Sequence, residues 1–280
     1  MNGTVVITGA SSGIGEITAH ELASRGARIV MVVRNRDKGQ RVIDEIVRKH
    51  PEAQLELAIA DLYSLAEVRR VGAELRARFP KIDVLVNNAG LIHDKRELTV
   101  DGFERTFALN HLAAFQLTYE LREPLAAAAP SRIVTVASGG HKFAHIEWDD
   151  LATATRWRPA TVVYGNSKLC NIWFAREAAR RLAPMGITSN SLHPGPVATS
   201  FGASGSLVFR VGTKIAKPFL LTPEEGARTS IYLASSPDVE GVTGEYFIKC
   251  RIASPSSKAR DDASARRLWE LSEKLTGVAY

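Results

Sequence analysis

The sequence predicts an α/β fold: one doubly wound parallel sheet of seven strands with helices on both faces. Three observations lead there. Runs rich in β-branched residues alternate with helical patterns along almost the whole chain. The first run ends in a glycine-rich turn where a helical pattern begins, and no repeat, low-complexity tract or linker breaks the alternation. At 280 residues, 45% hydrophobic, the chain can bury one large core without disulfides or metals.

The strands are expected at 4–8, 28–33, 54–60, 82–87, 132–138, 187–193 and 244–248. Helices are expected at 15–25, 38–49, 64–78, 102–128, 163–183 and 223–234, with a helical tail within 251–280. Residues 1–100 then carry mainly dinucleotide binding, and 101–250 the catalytic and substrate side. Two stretches break the rhythm, His141 to Ala160 and Pro196 to Leu221. Both follow strands, at the carboxyl ends of the sheet, where ligands of doubly wound folds bind.

Composition removes several classes of function. Cys170 and Cys250 form neither a Cys-x-x-Cys pair nor a zinc box and fit a reducing compartment, and no metal site is expected. The apolar runs are short, and the first strand follows Met1 almost at once, so neither a signal peptide nor a membrane anchor is expected and the reading is cytoplasmic. A net charge of +6, spread over helical faces such as Arg176-Arg180-Arg181, reads as solvated surface rather than a nucleic-acid stripe.

The turn Gly9-Ala10-Ser11-Ser12-Gly13-Ile14-Gly15 has the spacing Gly-x-x-x-Gly-x-Gly. Glycines between a strand and a helix let backbone approach a diphosphate whose charge the helix N-terminus stabilises. Nineteen residues beyond Gly15, at the end of the second strand, stands Arg34 rather than an acidic residue. A guanidinium there favours the 2′-phosphate of NADP over the free hydroxyl of NAD, with Arg36 and Lys38 as possible helpers.

Tyr164 and Lys168 are four apart at the start of a long amphipathic pattern, so a helix puts them on one face. A phenol has an ordinary pKa of about 10, and a fixed positive charge beside it lowers that value. Lys168 would need to bring Tyr164 down by ~2–3 pKa units for acid/base work near neutrality, a size that a close charge in a partly desolvated site can supply.

With Asn87-Asn88-Ala89-Gly90, the glycine turn and Tyr164-x-x-x-Lys168 resemble, in order and spacing, the short-chain dehydrogenase/reductase family, whose domain is Rossmann-type. Arg34-Asn35 with Lys38-Gly39, the 26-residue interval from Ser138 to Tyr164, Tyr164-Gly-Asn-Ser-Lys-Leu-Cys-Asn and the carboxy-terminal Ala265-Arg-Arg-Leu-Trp are similar to its retinol dehydrogenase-like branch.

The resemblance implies roles residue by residue. Ser138, in Val134-Thr-Val-Ala-Ser, would bond the substrate carbonyl oxygen, although Ala137 stands where a second serine is common. Tyr164 would be the general acid/base and Lys168 its partner and ribose ligand; Asn110 would hold a water on a proton path. For cofactor NADP(H), Gly9, Ser11, Ser12, Gly13, Ile14 and Gly15 would take the diphosphate, and Arg34 the 2′-phosphate. Asp61 with Leu62 would contact adenine, Asn87 and Ala89 would line the adenosine side, and Pro194, Gly195, Val197 and Thr199 would receive the nicotinamide.

Other residues invite plainer readings. His141 and His145 are four apart without a third ligand and read as loop or pocket residues; His193 reads as structural or near the cofactor, and Cys170 as a buried helix thiol. Trp148 and Trp157, in the first irregular stretch, are candidates to contact a flat apolar substrate. Phe201, Leu207, Val208, Phe209, Phe219 and Leu220 in the second are candidates for an apolar lid. The expectation is an enzyme reducing the carbonyl of a lipophilic substrate (retinoid, steroid, aldehyde, polycyclic or polyketide ketone), with homodimerisation left open. The alternatives are a light-dependent protochlorophyllide-type reductase and an NADP(H)-binding regulatory protein without turnover.

Overall fold

The computed structural model describes residues 3–196 and 221–280. Nine elements make up the first half: β1 Thr4–Thr8, α1 Gly13–Ser24, β2 Arg28–Val33, α2 Arg36–Lys49, β3 Leu55–Ile59, α3 Leu65–Arg78, β4 Val84–Asn87, the short α4 Arg105–Phe107 and α5 Ala113–Ala127. A π-helical turn, Ala108–Leu112, joins α4 to α5. The second half contains β5 Ser131–Val136, α6 Ala160–Leu182, β6 Ile187–His193, α7 Pro223–Ser235, β7 Tyr246–Ile248, β8 Arg251–Ile252 and α8 Asp262–Thr276.

The strands form one sheet in the order β3-β2-β1-β4-β5-β6-β7-β8. Every pairing from β3 to β7 is parallel, and β8 returns antiparallel on β7. The sheet thus has eight strands where the sequence predicts seven. The eighth is a two-residue strand behind a tight turn in which Lys249 and Cys250 take φ of 50° and 59°. Without Gly, Asn or Asp there, the hairpin carries no turn signature.

Alternate residues of β1 and β2 point to opposite faces, and each face is sealed by its own helices. Val6, Val30 and Val32 join Val68 and Leu75 of α3, Phe115 and Leu117 of α5, Phe174 of α6 and Trp269 of α8. Val5, Ile7, Ile29 and Met31 join Leu22 of α1, Val42 and Ile46 of α2 and Ile231 of α7. Both faces are covered, so the central strands read as continuous apolar runs.

Strand order reverses between β1 and β4, which opens a crevice at their carboxyl ends. The loops after β1, β4 and β5 all emerge there, and so does the amino-terminal part of α6. No helix among the described residues is long and apolar enough to cross a membrane.

Candidate active site

The crevice begins with the glycine turn. Gly9 and Gly13 have φ of 67° and 60°, conformations that favour glycine. At Gly15 a Cβ would stand 2.5 Å from Asn88 Nδ2 and 2.6 Å from the Gly9 carbonyl, so the close approach of α1 to the loop after β4 requires glycine. Thr8 Oγ1 accepts from the Asn88 and Ala89 backbone N–H groups, each at 3.0 Å, and Asn88 Nδ2 donates to the Thr8 carbonyl at 2.8 Å. Thr8 and Asn88 thereby stitch the turn to the Asn87–Gly90 loop. The sequence reading passed over both as site residues, although Asn88 sits inside the motif it used.

Behind the turn, Arg41 of α2 donates to the Ser11 carbonyl at 3.3 Å and pairs with Glu16 at 3.2 Å and Glu45 at 2.7 Å. Glu16, His20 and Glu45 bring one ligand atom each within 4.8 Å of one another, a grouping the sequence reading did not foresee; Arg41 bridges its two carboxylates.

At the end of β2, Arg34 is exposed and Asn35 Oδ1 caps α2 by accepting from the Lys38 N–H at 2.9 Å. Asp61 Oδ1 accepts from the Tyr63 N–H at 3.2 Å, and Leu62 is buried beside it. Asn87 turns its side chain inward, donating to Thr118 Oγ1 at 3.2 Å, so it is Ala89 that stands at the crevice surface.

The Asn110, Ser138, Tyr164 and Lys168 side chains converge across four elements. Ser138 leaves β5 and caps a single 3-10 turn, its Oγ accepting from the Gly140 N–H at 3.1 Å. Its hydroxyl also hydrogen-bonds the Tyr164 phenol. A turn further along α6, Lys168 is 2% exposed and its Nζ donates to the Val136 carbonyl at 2.9 Å. Asn110 lies in the π-helical turn, where its Oδ1 accepts from the Leu91 N–H at 2.9 Å and its Nδ2 donates to the Leu91 carbonyl at 3.0 Å and to Ser167 Oγ at 2.9 Å. The extra residue per turn of a π-helix displaces Asn110 from the regular helical face, and its side chain ties that displacement to the Gly90–Leu91 backbone.

The electrostatics depart from expectation. Burial pushes the Tyr164 phenol up to about 12, with the Ser138 hydrogen bond only partly offsetting it. Burial likewise pushes Lys168 down to about 7. The expected lowering of Tyr164 by Lys168 is not what this arrangement gives: Nζ is 5.6 Å from the centre of the tyrosine ring and is committed to Val136, so desolvation outweighs the charge.

The remaining candidates divide between those the structure moves and those it leaves as read. Trp148 does not line the crevice; it stacks on Trp173 at 5.7 Å between ring centres, with Arg267 4.5 Å above it. His141 is buried: its Nδ1 donates to the Ser138 carbonyl at 2.7 Å, and its Nε2 accepts from the Ser256 N–H at 3.1 Å, tying the serine loop to the carboxy-terminal segment. His193 packs beneath the same loop, 3.1 Å from where a Cβ on Gly139 would be. Cys170 is the buried helix thiol expected. Arg176 and Arg180 pair with Asp262, and Arg181 lies 5.0 Å over Trp269, so the supposed solvated face of α6 holds α8. Pro194 and Gly195, with φ of 93°, lie at the end of β6; Val197, Thr199 and the lid candidates 201–220 lie outside the described residues.

Comparison with known proteins agrees with this geometry. The family model described as short chain dehydrogenase matches residues 3–206. Retinol dehydrogenase 14 from Mus musculus is 42% identical over 98% of this chain and 86% of its own length. Retinol dehydrogenase 12 from the same organism is 38% identical over 99% and 87%. Among solved structures, an uncharacterized protein from Mycobacterium paratuberculosis superposes with a TM-score of 0.77 at 33% identity, covering 99% of this chain and 94% of that one. A Beutenbergia cavernae protein, described as an NAD(P)-dependent gluconate 5-dehydrogenase with bound NADP, gives 0.70 at 29%, covering 88% and 94%. A glycine turn stitched to an Asn-Asn-Ala-Gly loop, a serine bonded to a helical tyrosine and a lysine one turn on place this oxidoreductase in the short-chain dehydrogenase family, in its retinol dehydrogenase-like branch.

Proposed function

We propose that this chain is an NADP(H)-dependent reductase that converts the carbonyl of a lipophilic substrate to an alcohol, reversibly, with Tyr164 as general acid/base. The observation that carries the reading is the hydrogen bond between the Ser138 hydroxyl and the Tyr164 phenol, with the buried Lys168 one helical turn behind. When bound, the dihydronicotinamide supplies the hydride. Negative charge then develops on the substrate oxygen, and the adjacent hydroxyls of Ser138 and Tyr164 would both donate to it. Tyr164 gives its proton to that oxygen and is recharged through Lys168 and the polar Asn110–Ser167 region behind it. With a pKa near 7, Lys168 can take up and release a proton at working pH.

The residues present fit the cofactor. The turn Gly9 to Gly15 offers backbone N–H groups at the start of α1 to a diphosphate. Asp61 and Leu62 would contact the adenine, and Pro194 and Gly195 at the end of β6 would receive the nicotinamide, a role the family resemblance also gives to Val197 and Thr199 outside the described residues. Arg34 makes no ion pair among the described residues, which leaves its charge available to a 2′-phosphate. The lipophilic substrate class rests on the resemblance to retinol dehydrogenases and on the apolar content of 201–220. We take the enzyme to act in the cytoplasm, as monomer or homodimer.

The test is a cofactor-oxidation screen of retinals, steroids, quinones, aliphatic aldehydes and polycyclic aromatic ketones with NADPH and NADH in parallel. The expected result is turnover of at least one apolar carbonyl with kcat/KM for NADPH at least about tenfold above NADH, the scale of one charge-assisted contact. Equal efficiency with both cofactors overturns the cofactor assignment. Tight NADPH binding with no turnover across the panel overturns the enzymatic one.

A further inference from the structure

We propose that Tyr63 is a specificity-determining residue for the adenosine end of the cofactor, the platform that holds Arg34 in place for a 2′-phosphate. The inference rests on the NADP(H) reading above and deepens it. Tyr63 stands two residues beyond Asp61, in the turn after β3, and its ring is half-buried. Three separate segments meet on that ring. The Arg34 guanidinium, from the end of β2, is 5.7 Å from its centre, and that of Arg105, from α4, is 4.5 Å away. The phenol oxygen is 2.8 Å from His93 Nε2, and the two rings meet edge to face at 5.7 Å. His93 is itself held by its backbone N–H to Thr106 Oγ1 at 3.4 Å, on the loop whose Leu91 is clasped by Asn110.

The two cations on the ring are not equivalent. Arg105 is ion-paired with Glu97, whereas Arg34 has no carboxylate partner among the described residues. Arg34 is therefore the cation whose charge a phosphate can claim, and the ring is the one aromatic partner it has in the described structure. An exposed arginine has many rotamers, and ordering it costs binding free energy; a ring face that attracts the guanidinium without neutralising it removes part of that cost in advance. Tyr63 is suited to this because it stays neutral. Burial raises its pKa, so no phenolate competes with phosphate for Arg34. Burial and the nearby Arg105 lower that of His93, which keeps the imidazole a neutral partner for the phenol at neutral pH.

This assigns separable roles to the ring and the hydroxyl. Arg34 needs the ring face; the hydroxyl anchors the ring to His93. The test is titration calorimetry of the full chain with 2′,5′-ADP and with 5′-AMP, ligands that differ at the 2′ position, alongside NADPH and NADH. Tyr63→Leu is expected to weaken 2′,5′-ADP and NADPH about tenfold while 5′-AMP and NADH change by less than about twofold, the scale of one lost cation–π contact. Tyr63→Phe keeps the ring face and is expected to hold selectivity within about threefold of wild type. If Tyr63→Leu weakens all four ligands alike, or none, the ring is packing only and the proposal is overturned. If wild type itself binds NADH as tightly as NADPH, the NADP(H) reading fails first. If Arg34→Leu removes the preference but Tyr63→Leu does not, only the role of Tyr63 falls.

Discussion

Gly90 lies so close to Lys168 that a Cβ on it would stand 3.1 Å from Nζ, and 3.0 Å from Asn110 Oδ1. The glycine of the Asn-Asn-Ala-Gly loop is thus a spacer for the lysine and the asparagine. A methyl group there meets the tip of a flexible side chain and an amide oxygen, so the fold can yield while the site cannot. We expect Gly90→Ala to lower kcat/KM by about 10- to 100-fold, the effect of a small misplacement of catalytic groups. The thermal midpoint should move by only a few degrees; a loss of activity that merely tracks unfolding would contradict the spacer role.

Tyr164→Phe removes the proposed proton donor and leaves the ring packed against Gly140, whose Cβ position is 3.2 Å from Tyr164 Cε1. Turnover should fall by about 10²- to 10⁴-fold, as for loss of a general acid. Ser138→Ala removes one of the two hydroxyls proposed to face the oxyanion, for an expected loss of about 10²- to 10³-fold. Steady-state assays on variants with wild-type circular dichroism check both, and near-normal turnover of the folded Tyr164→Phe protein would remove tyrosine from the mechanism.

His111, next to Asn110, ties stability to pH. It is fully buried, its Nε2 lies 2.8 Å from Ser272 Oγ of α8, and burial pushes its pKa down to about 3. The unfolded chain takes up this proton near pH 6.5 and the folded chain only near 3, so between those values the unfolded state binds more protons. Its contribution is fully present above pH 6.5 and is lost as pH falls toward 3, at about 1.4 kcal/mol per decade and about 5 kcal/mol in all. Denaturant midpoints from pH 7 to 4 should fall more steeply for wild type than for His111→Gln; parallel slopes would assign the acid sensitivity to other groups.

The clamp of α8 on α5 and α6 is open to direct measurement. Trp269 is 1% exposed, stacks on Phe174 at 5.9 Å and meets Phe115 and Tyr280 edge-on at 5.0 Å and 4.5 Å. Trp269→Ala should cost about 3–5 kcal/mol in urea unfolding, as for deletion of a large buried aromatic. A cost below about 1 kcal/mol would mean that α8 is only loosely laid on the domain.

The parts of the molecule that could be read from its sequence are those set by local pattern. β1, β2 and β6 fall where their β-branched runs fall, because strands buried on both faces need apolar residues throughout. That Ser138, Tyr164 and Lys168 come together was legible because motif spacing places them at the end of β5 and on one face of α6. What escaped depends on distant partners. The expected helix from Gly102 to Ala128 is interrupted by a π-helical turn whose stabilising bonds, from Asn110 to Leu91, span a separation no helical pattern records. Arg176, Arg180 and Arg181 look like solvated charge until α8 is seen to lie against them, and Trp148 is claimed by Trp173 and Arg267 rather than by the crevice. The phenol's upward shift was missed because the expectation counted the lysine's charge and not the burial of both groups.

The position of α8 also orders events in time. Phe115 and Phe174 leave the ribosome roughly a hundred residues or more before Trp269 and Tyr280, which finally cover them; Tyr280 closes the cluster by donating from its hydroxyl to the Phe115 carbonyl at 2.7 Å. Until then the apolar back of the segment that carries Asn110 is open to water and to other nascent chains. Synthesis of the Rossmann core therefore does not finish the face that carries the candidate site. A late premature stop codon, though it leaves every motif of that site intact, would release a chain in which the helix behind Asn110 is unsealed.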